Sequence, residues 1–142
     1  MSIPFWPSDL PQRVSRNGFG ETFRDGRLRT AMEAGPPKMR RRFSSAVRPI
    51  QASIEVTVDG KARLERFWSE EAAGGTLPFL MPDQTLDGLA LTDGDGIQLL
   101  DDQGRPLVNT NWWLAMFGDS APSVQNMGWI WYRVSFPLMV LP

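Results

Sequence analysis

The side chains of this sequence that could do chemistry are few, because the chain contains neither histidine nor cysteine. Thiol nucleophiles, Ser-His-Asp arrangements and the usual zinc, haem and iron–sulfur ligand sets all require one of these residues. Adjacent carboxylates occur at Glu70-Glu71, but neighbours on a helix point about 100° apart and do not readily share a substrate proton. Phosphate-binding and nucleophile-elbow motifs are missing. We therefore expect no enzyme activity, no catalytic or metal-binding residue and no cofactor.

An acidic stretch could bind calcium. Asp93-Gly94-Asp95-Gly96 is followed by Asp101-Asp102, a weak likeness to a calcium loop. An EF-hand loop also requires a third liganding side chain before its glycine and a bidentate glutamate at its end, and this stretch has neither. Asp-Gly pairs are common in turns because both residues tolerate positive φ. The stretch therefore predicts turns.

A basic run, Arg40-Arg41-Arg42-Phe43, could bind nucleic acid. Phosphate backbones are bound by several cations on one surface, whereas strand alternation places Arg41 opposite Arg40 and Arg42. Most short basic runs are solvated faces or interface charges. A small nucleic-acid-binding domain stays open as an alternative, and its affinity would fall steeply with added salt.

The chain has six tryptophans, several of them clustered late in the sequence. Trp112, Trp113, Trp129, Trp131 and Tyr132 could form a stacking platform for sugars or bases. In a domain of this size such rings more often fill cores and interfaces, because each buries a large area. A carbohydrate-binding module stays open as a second alternative.

Charge is divided between the two parts of the chain. Residues 1–50 carry ten basic and four acidic residues, whereas residues 51–142 carry five basic and twelve acidic residues. The two parts therefore have net charges of +6 and −7. Such complementary charge can meet within one subunit or between one subunit and the next in a ring.

The remaining composition indicates one domain. A chain of 142 residues buries about two thirds of the surface that its unfolded form exposes. We expect no signal peptide, since no basic and long apolar segments follow Met1. No apolar run approaches the ~20 residues of a membrane-spanning helix. We expect a soluble protein made in the cytoplasm, without a membrane partner.

The elements that would position these residues begin with an extended arm. Five prolines and four glycines interrupt residues 1–37, yet the segment is too apolar for a disordered tail. We expect it to lie against a core, its own or a neighbour's. Alternation then predicts a strand from Met39 to Val47, which Pro49 ends or marks as an edge. A half-buried strand follows over Ile50–Val58.

A helix is predicted over about 60–73, with Gly74-Gly75 as its left-handed exit. Residues 83–106 are predicted to form a hairpin excursion, and strands are predicted over about 107–117 and 129–141, the last covered on both faces. The fold class is mainly β: an antiparallel β-sandwich or barrel with one α-helix packed against it. The domains are the arm, residues 1–37, and a single β-sandwich, residues 38–142.

Three further segments have distinctive sequences: Trp6-Pro7-Ser8-Asp9-Leu10-Pro11-Gln12, the stretch from Arg29-Thr30-Ala31-Met32-Glu33-Ala34-Gly35-Pro36-Pro37 to Lys38-Met39-Arg40-Arg41-Arg42-Phe43, and Gly74-Gly75-Thr76-Leu77-Pro78-Phe79. These segments resemble small tail-region proteins of tailed bacteriophages and prophages. The order of strand, helix, this glycine step and a late strand is similar to the distal tail proteins of long-tailed phages, including the lambda-type minor tail proteins.

This resemblance implies a tail-tube-like β-sandwich and a structural protein of the virion tail. It implies a hexameric ring at the distal end of the tail, joining the tail tube protein to hub or tip proteins of the baseplate, with DNA passing through the lumen. We expect Arg40 and Arg42 to meet acidic groups of the adjacent subunit. The interface candidates are Trp6, Arg40, Arg41, Arg42, Phe43, Trp112 and Trp113.

Overall fold

The strands form one large antiparallel sheet and one small separate sheet. In this computed structural model, residues 3–42 and 46–142 are described. Their strands are β1 (Gly20–Glu21), β2 (Arg27–Thr30), β3 (Lys38–Arg41), β4 (Arg48–Thr57), β5 (Phe79–Pro82), β6 (Trp112–Phe117), β7 (Ser123–Gly128) and β8 (Trp131–Val140). The large sheet has the order β1-β4-β8-β6-β5, with β7 also paired to β8, and the small sheet joins β2 to β3.

The two longest strands form the centre of the large sheet. β4 and β8 pair along all ten residues, from Arg48 opposite Val140 to Thr57 opposite Trp131. The other edge of β8 is divided, with β7 beside residues 131–135 and β6 beside residues 138–140. The predicted strand over Ile50–Val58 is thus confirmed. β7 falls in a segment that was predicted to be a loop, because its polar sequence lacks an apolar face.

The core lies on one face of this sheet. Alternate residues of β4 and β8 are buried, as period-two patterning requires, and they meet aromatic side chains from β5, β6 and the helix. The buried rings of Phe67, Phe79, Phe117 and Phe136 lie in mutual contact with centroid distances of 5.1 to 6.2 Å. These rings are the main apolar material between the sheet and the helix.

The helical segment lies in the range over which a helix is predicted, about residues 60–73. α1 (Val58–Arg66) continues without a break into a π-helical turn, Phe67–Glu71. Leu64, Phe67 and Ala72 are buried against the sheet. The chain then leaves through Gly74 and Gly75, with φ of 69° and 86°, which confirms the predicted left-handed exit. The predicted start at Asp59-Gly60 was two residues late, because Val58 is already helical.

The first residues of the arm complete the layer that covers the core. Trp6 and Leu80 are joined by a backbone hydrogen bond of 2.7 Å at the β5 edge, and β1 pairs with β4 at the other edge. Trp6 and Leu10, which lie between these two edges, are buried. The fold is therefore mainly β and antiparallel, with one helix packed against the sheet, as predicted. The sheet is not closed into a barrel, and the arrangement is sandwich-like.

The last strand is fully covered on one face and partly covered on the other. Val134, Phe136, Leu138 and Val140 are buried. On the opposite face Pro137 and Met139 are half-buried, and Trp131 is half exposed. The prediction that both faces are covered is therefore confirmed only in part.

Candidate subunit interface

Two of the predicted interface residues lie inside the subunit. Trp6 and Trp113 are each only 4% exposed. The Trp6 ring contacts Phe67, Phe79 and Phe136 at centroid distances of 5.7 to 5.9 Å. Both rings therefore pack within the core of the chain, and their place in a subunit interface stays a prediction. Trp112, the residue before Trp113 on β6, points the other way and is half exposed.

The predicted arginines lie on a projection formed by the small sheet. We call residues 24–42 the basic hairpin: β2 and β3 pair antiparallel within it, from Arg27 opposite Arg41 to Thr30 opposite Lys38. Its seven basic and two acidic residues give a net charge of +5. All residues of both strands are exposed except the half-buried Leu28. Phe43, the remaining candidate, lies outside the described residues.

The pairing of β2 with β3 places on one face cations that lie far apart in the sequence. Arg41 does lie on the face opposite Arg40, as predicted, but Arg27 and Arg29 of β2 share the Arg41 face. We had predicted no regular element in residues 1–37, so β2 was missed. The signal was present in Arg-Leu-Arg-Thr, which alternates and precedes the turn residues Gly35-Pro36-Pro37.

The hairpin is charged in a way that opposes its own folding. Arg27 and Arg41 stand directly opposite each other, and like charges in such pairs destabilise a sheet. An isolated two-stranded hairpin is marginally stable in any case. Among the described residues, Arg29, Lys38, Arg40 and Arg41 have no ion-pair partner. Arg42 does have an interaction in the structure.

One local carboxylate partly compensates this charge. Asp25 Oδ1 accepts hydrogen bonds from the backbone amide of Arg27 at 3.1 Å and from its Nε at 2.9 Å. The hydrogen bonds from the Arg27 side chain, and then from its amide, hold the pKa of Asp25 at about 2, below its ordinary value of 3.8. This pair fixes the start of β2 and leaves the rest of the hairpin positive.

The predicted hairpin excursion is a three-cornered knob. We call residues 87–109 the acidic knob, since it carries five acidic residues and one basic residue. The amide of Leu91 donates to the carbonyl of Leu107, that of Leu99 to Leu91 and that of Leu107 to Leu99, each at 2.9 Å. The three leucines are 42, 40 and 40% exposed. This cycle and the matching exposure give the knob approximate three-fold symmetry.

Two corners of the knob are closed by aspartate side chains. Asp93 Oδ1 accepts hydrogen bonds from the amides of Asp95 and Ile97, at 2.9 and 3.0 Å. Asp101 Oδ1 likewise accepts hydrogen bonds from the amides of Gln103 and Arg105, at 2.9 and 2.8 Å. These carboxylates build turns, as predicted for this stretch. The hydrogen bonds to Asp101, first of all that from the Arg105 amide, lower its pKa.

An eight-residue repeat in the sequence produces this symmetry. Leu-x-Asp-x-x-Gly occurs at residues 91–96 and 99–104, and Leu-x-Asn follows at residues 107–109. The third corner is the stem, where the amide of Gly88 donates to the carbonyl of Asn109 and the amide of Asn109 to Leu89, both at 2.7 Å. We had interpreted residues 83–106 as a hairpin and had not recognised the repeat, although the glycines 88, 96 and 104 mark its period.

Side chains at the base hold the knob to the sheet. Asp83 is buried, and burial alone would raise its pKa. Hydrogen bonds from the hydroxyl of Thr85 at 2.6 Å and from the amides of Thr85 and Leu86 outweigh that effect and lower it. Gln84 joins the base to the arm: its Oε1 accepts from the amide of Val14 at 2.9 Å, and its Nε2 donates to the carbonyl of Gln12 at 3.0 Å.

The tryptophans do not form one platform. Trp112 begins β6 and contacts Phe5 edge-on, at a centroid distance of 5.8 Å. Trp129, 91% exposed, and Trp131 lie at the β7–β8 turn, about ten strand residues or ~30 Å from the other end of β8. Trp131 lines an open cleft of about 620 Å³ together with charged residues that include Glu55, Asp59 and Arg63.

Comparison with known proteins supports the fold. The sequence matches no protein-family model and no curated protein. The structure is similar to a chain in the virion of a native gene transfer agent (GTA) particle, with a TM-score of 0.53 and 14% sequence identity. The match covers 99% of this chain and 97% of that chain. At this identity, the similarity shows that the two chains share a fold along nearly their full lengths.

The described residues contain neither a cluster of metal-binding side chains nor a membrane-spanning helix. In residues 3–42 and 46–142 no three acidic side chains lie together as a metal site would require. Within the same residues, no helix has the length and apolar character needed to cross a membrane.

Proposed function

We propose that this chain is a structural protein of a virion tail, without enzyme activity. It forms a ring of identical subunits, a hexamer, at the distal end of the tail and joins the tail tube protein to hub or tip proteins of the baseplate. DNA passes through the lumen during ejection and is not otherwise bound. The observation that carries this proposal is the near full-length fold similarity to a chain in a gene transfer agent virion.

The surface of the subunit supports assembly into a ring. A ring made of one kind of subunit uses two different, complementary surfaces on each copy. The basic hairpin and the acidic knob are oppositely charged and exposed. Half-exposed Trp112 and Trp131 are the kind of residue that interfaces favour. No catalytic group is needed for such a role.

Negative-stain electron microscopy of the purified protein, with light scattering for its mass, tests the proposal. We expect closed rings of about six copies, since closed cyclic symmetry is the usual outcome for identical subunits with complementary surfaces. A protein that stays monomeric at high concentration, and also fails to bind isolated tail tubes, contradicts it. Tube binding is measured by co-sedimentation, so a ring that needs a template is still detected.

A carbohydrate-binding module at a virion tip is the second candidate, because Trp131 lines a cleft that also contains carboxylates and arginines. A sugar ring can stack on tryptophan while its hydroxyls bond to such groups. We would titrate oligosaccharides and follow tryptophan fluorescence. Quenching that Trp131→Phe removes and Trp112→Phe retains supports this candidate. An unchanged spectrum contradicts it.

A further inference from the structure

The basic hairpin and the acidic knob project from the same end of the large sheet. Arg48, which begins β4 just after the hairpin, pairs with Val140 at the end of β8. Val140 in turn lies opposite Ala115 of β6. β6 runs antiparallel to β8, so its first residue, Trp112, lies beyond Val140. The knob connects Trp112 with its partner Pro82 on β5. Both projections therefore leave the sheet at the C-terminal end of β8.

They leave it on opposite sides. The hairpin connects β1 to β4, and the knob connects β5 to β6, on the far side of β8. Three strand spacings of about 4.8 Å separate β4 from β5, a distance of ~14 Å. Two surfaces at the same height and on opposite sides are what a cyclic assembly requires, because rotation about an axis parallel to the strands brings one beside the other.

The two projections are complementary in charge and in apolar content. The hairpin has a net charge of +5 and the knob of −4. Asp95 and Asp102 of the knob are exposed and have no ion-pair partner among the described residues, as is true of Arg40 and Arg41. Exposed apolar side chains accompany both sets of charges. They are Phe23, Met32 and Met39 at the hairpin and Leu89, Ile97, Leu100 and Val108 on the knob.

We infer that the basic hairpin of one copy docks against the acidic knob of the next copy. This contact rests on the proposed ring and specifies which surfaces close it. It also accounts for the unfavourable Arg27–Arg41 pairing, because acidic groups of the neighbour neutralise the hairpin when the ring forms. The partner is a second copy of this chain; a nucleic-acid partner for the hairpin is an outcome of the test below.

Charge reversal on each side tests the contact. The hairpin variant is Arg40→Glu/Arg41→Glu and the knob variant is Asp95→Lys/Asp102→Lys. The hairpin variant lowers the net charge of its projection from +5 to +1, and the knob variant changes that of the knob from −4 to 0. The reversed side chains also repel their expected partners, so we expect association at low ionic strength to weaken by tenfold or more for either variant alone. The control matched to the knob variant, Glu70→Lys/Asp119→Lys, makes the same +4 change of charge on exposed residues away from both projections. It should assemble as the wild type does.

An equimolar mixture of the two reversed variants is the decisive sample. The reversed side chains at positions 40 and 41 of one variant then face the reversed side chains at positions 95 and 102 of the other, and each remaining contact joins a wild-type hairpin to a wild-type knob. We expect rings to return, with the two variants in equal amounts. Circular dichroism and urea midpoints of each variant, unchanged from the wild type, establish that lost assembly is not lost folding.

The outcomes separate this contact from the proposed function. If wild-type rings form and either reversed variant assembles equally well, or the mixture does not recover, the docking is wrong and the ring stands. If the wild type forms no ring, either alone or on isolated tail tubes, the ring itself is wrong, and the contact with it. Salt-dependent binding of DNA that the hairpin variant loses, together with unchanged rings, assigns the hairpin to nucleic acid instead.

Cross-linking gives a second measurement that does not depend on charge. The chain has no cysteine, so single cysteines can be placed at will. Arg40→Cys mixed with Asp102→Cys and treated with a short bis-maleimide should give a covalent heterodimer. Arg40→Cys mixed with Glu70→Cys should give none. Equal yields from the two mixtures contradict the docking.

Discussion

The first 42 residues divide into two halves that have similar compositions and different places in the fold. Residues 3–21 and residues 23–42 are both rich in proline, glycine and arginine, without a helical period. The first half packs on the core through Trp6 and Leu10, which are buried. The second half leaves the core as the basic hairpin, whose strand residues are nearly all exposed.

This comparison shows that spacing of apolar residues, more than composition, decides which half belongs to the core. Trp6 and Leu10 fall where the helix and the sheet leave an apolar surface uncovered, so burying them removes that surface from water. Phe23, in the second half, is 89% exposed and has no such surface to cover. The first half stabilises the subunit, and the second half is available for a neighbour.

The largest expected effect on stability comes from a substitution in the first half. Trp6→Ala removes a buried indole from contact with three phenylalanine rings, and should lower the free energy of unfolding by about 3–5 kcal/mol. Urea denaturation measures it. The matched variant Phe23→Ala should change the free energy of unfolding by less than about 0.5 kcal/mol, because an exposed side chain leaves no cavity. Similar values for the two variants would remove the distinction between the halves.

A smaller effect loosens the same half at its link to the knob. Gln84→Ala removes the hydrogen bonds to Val14 and Gln12 and should cost about 1–2 kcal/mol of unfolding free energy. Amide hydrogen exchange should rise at Val14. Gln125→Ala, on an exposed strand without a side-chain hydrogen bond among the described residues, is the control. Unchanged exchange at Val14 would show that Gln84 does not hold the arm.

A still smaller effect is expected from a substitution in the second half, within the basic hairpin. Arg41→Glu replaces the like-charge pair with Arg27 by an opposite-charge pair, worth about 0.2–1 kcal/mol within the hairpin. Exchange of its backbone amides should slow by up to about fivefold, with the global unfolding free energy nearly unchanged. Arg29→Glu, opposite Met39, lacks this cross-strand gain and serves as control. Equal protection in the two variants would contradict the register.

The smallest effect is a pH dependence confined to the hairpin. The pKa of Asp25 is about 2 in the folded chain, below its ordinary value of 3.8. A lowered folded pKa means that the stabilisation by this carboxylate is complete above pH 3.8 and is lost as the pH falls through about 2. Amide exchange of Arg27 should rise in that window, and Asp25→Asn should abolish the dependence. A midpoint near 3.8 would show that the pair with Arg27 does not form.

Local sequence patterns were sufficient to predict the elements whose apolar residues lie on one face. The alternation over residues 50–58 and the apolar stripe at Leu64, Phe67 and Trp68 were sufficient to predict β4 and the helix, because periods of 2 and 3.6 residues need no partner to be visible. The predicted boundary between residues 37 and 38 stays a prediction. It coincides with the start of β3, and only the pairing of β2 with β3 marks these short strands as one hairpin.

The kinds of residue in the candidate interface could be predicted from the sequence, but their positions in the structure could not. The basic run and the charge division were visible in the sequence, and they directed attention to Arg40 and Arg42. The addition of Arg27 and Arg29 to the same projection depended on the register of a neighbouring strand. Trp6 and Trp113 were chosen as interface residues because large rings suit interfaces and cores equally well. Only packing could distinguish the two uses.

The sequence by itself determined the chemistry that is possible and the main local elements. The chain has no histidine or cysteine, and its two parts carry opposite net charges. Tertiary structure decided which surfaces carry those charges. The pairing of β4 with β8 and of β6 with β8 brings residues 24–42 and 87–109 to one end of the sheet on opposite sides. Contacts between distant segments depend on how the whole chain folds, and a local sequence period carries no information about them.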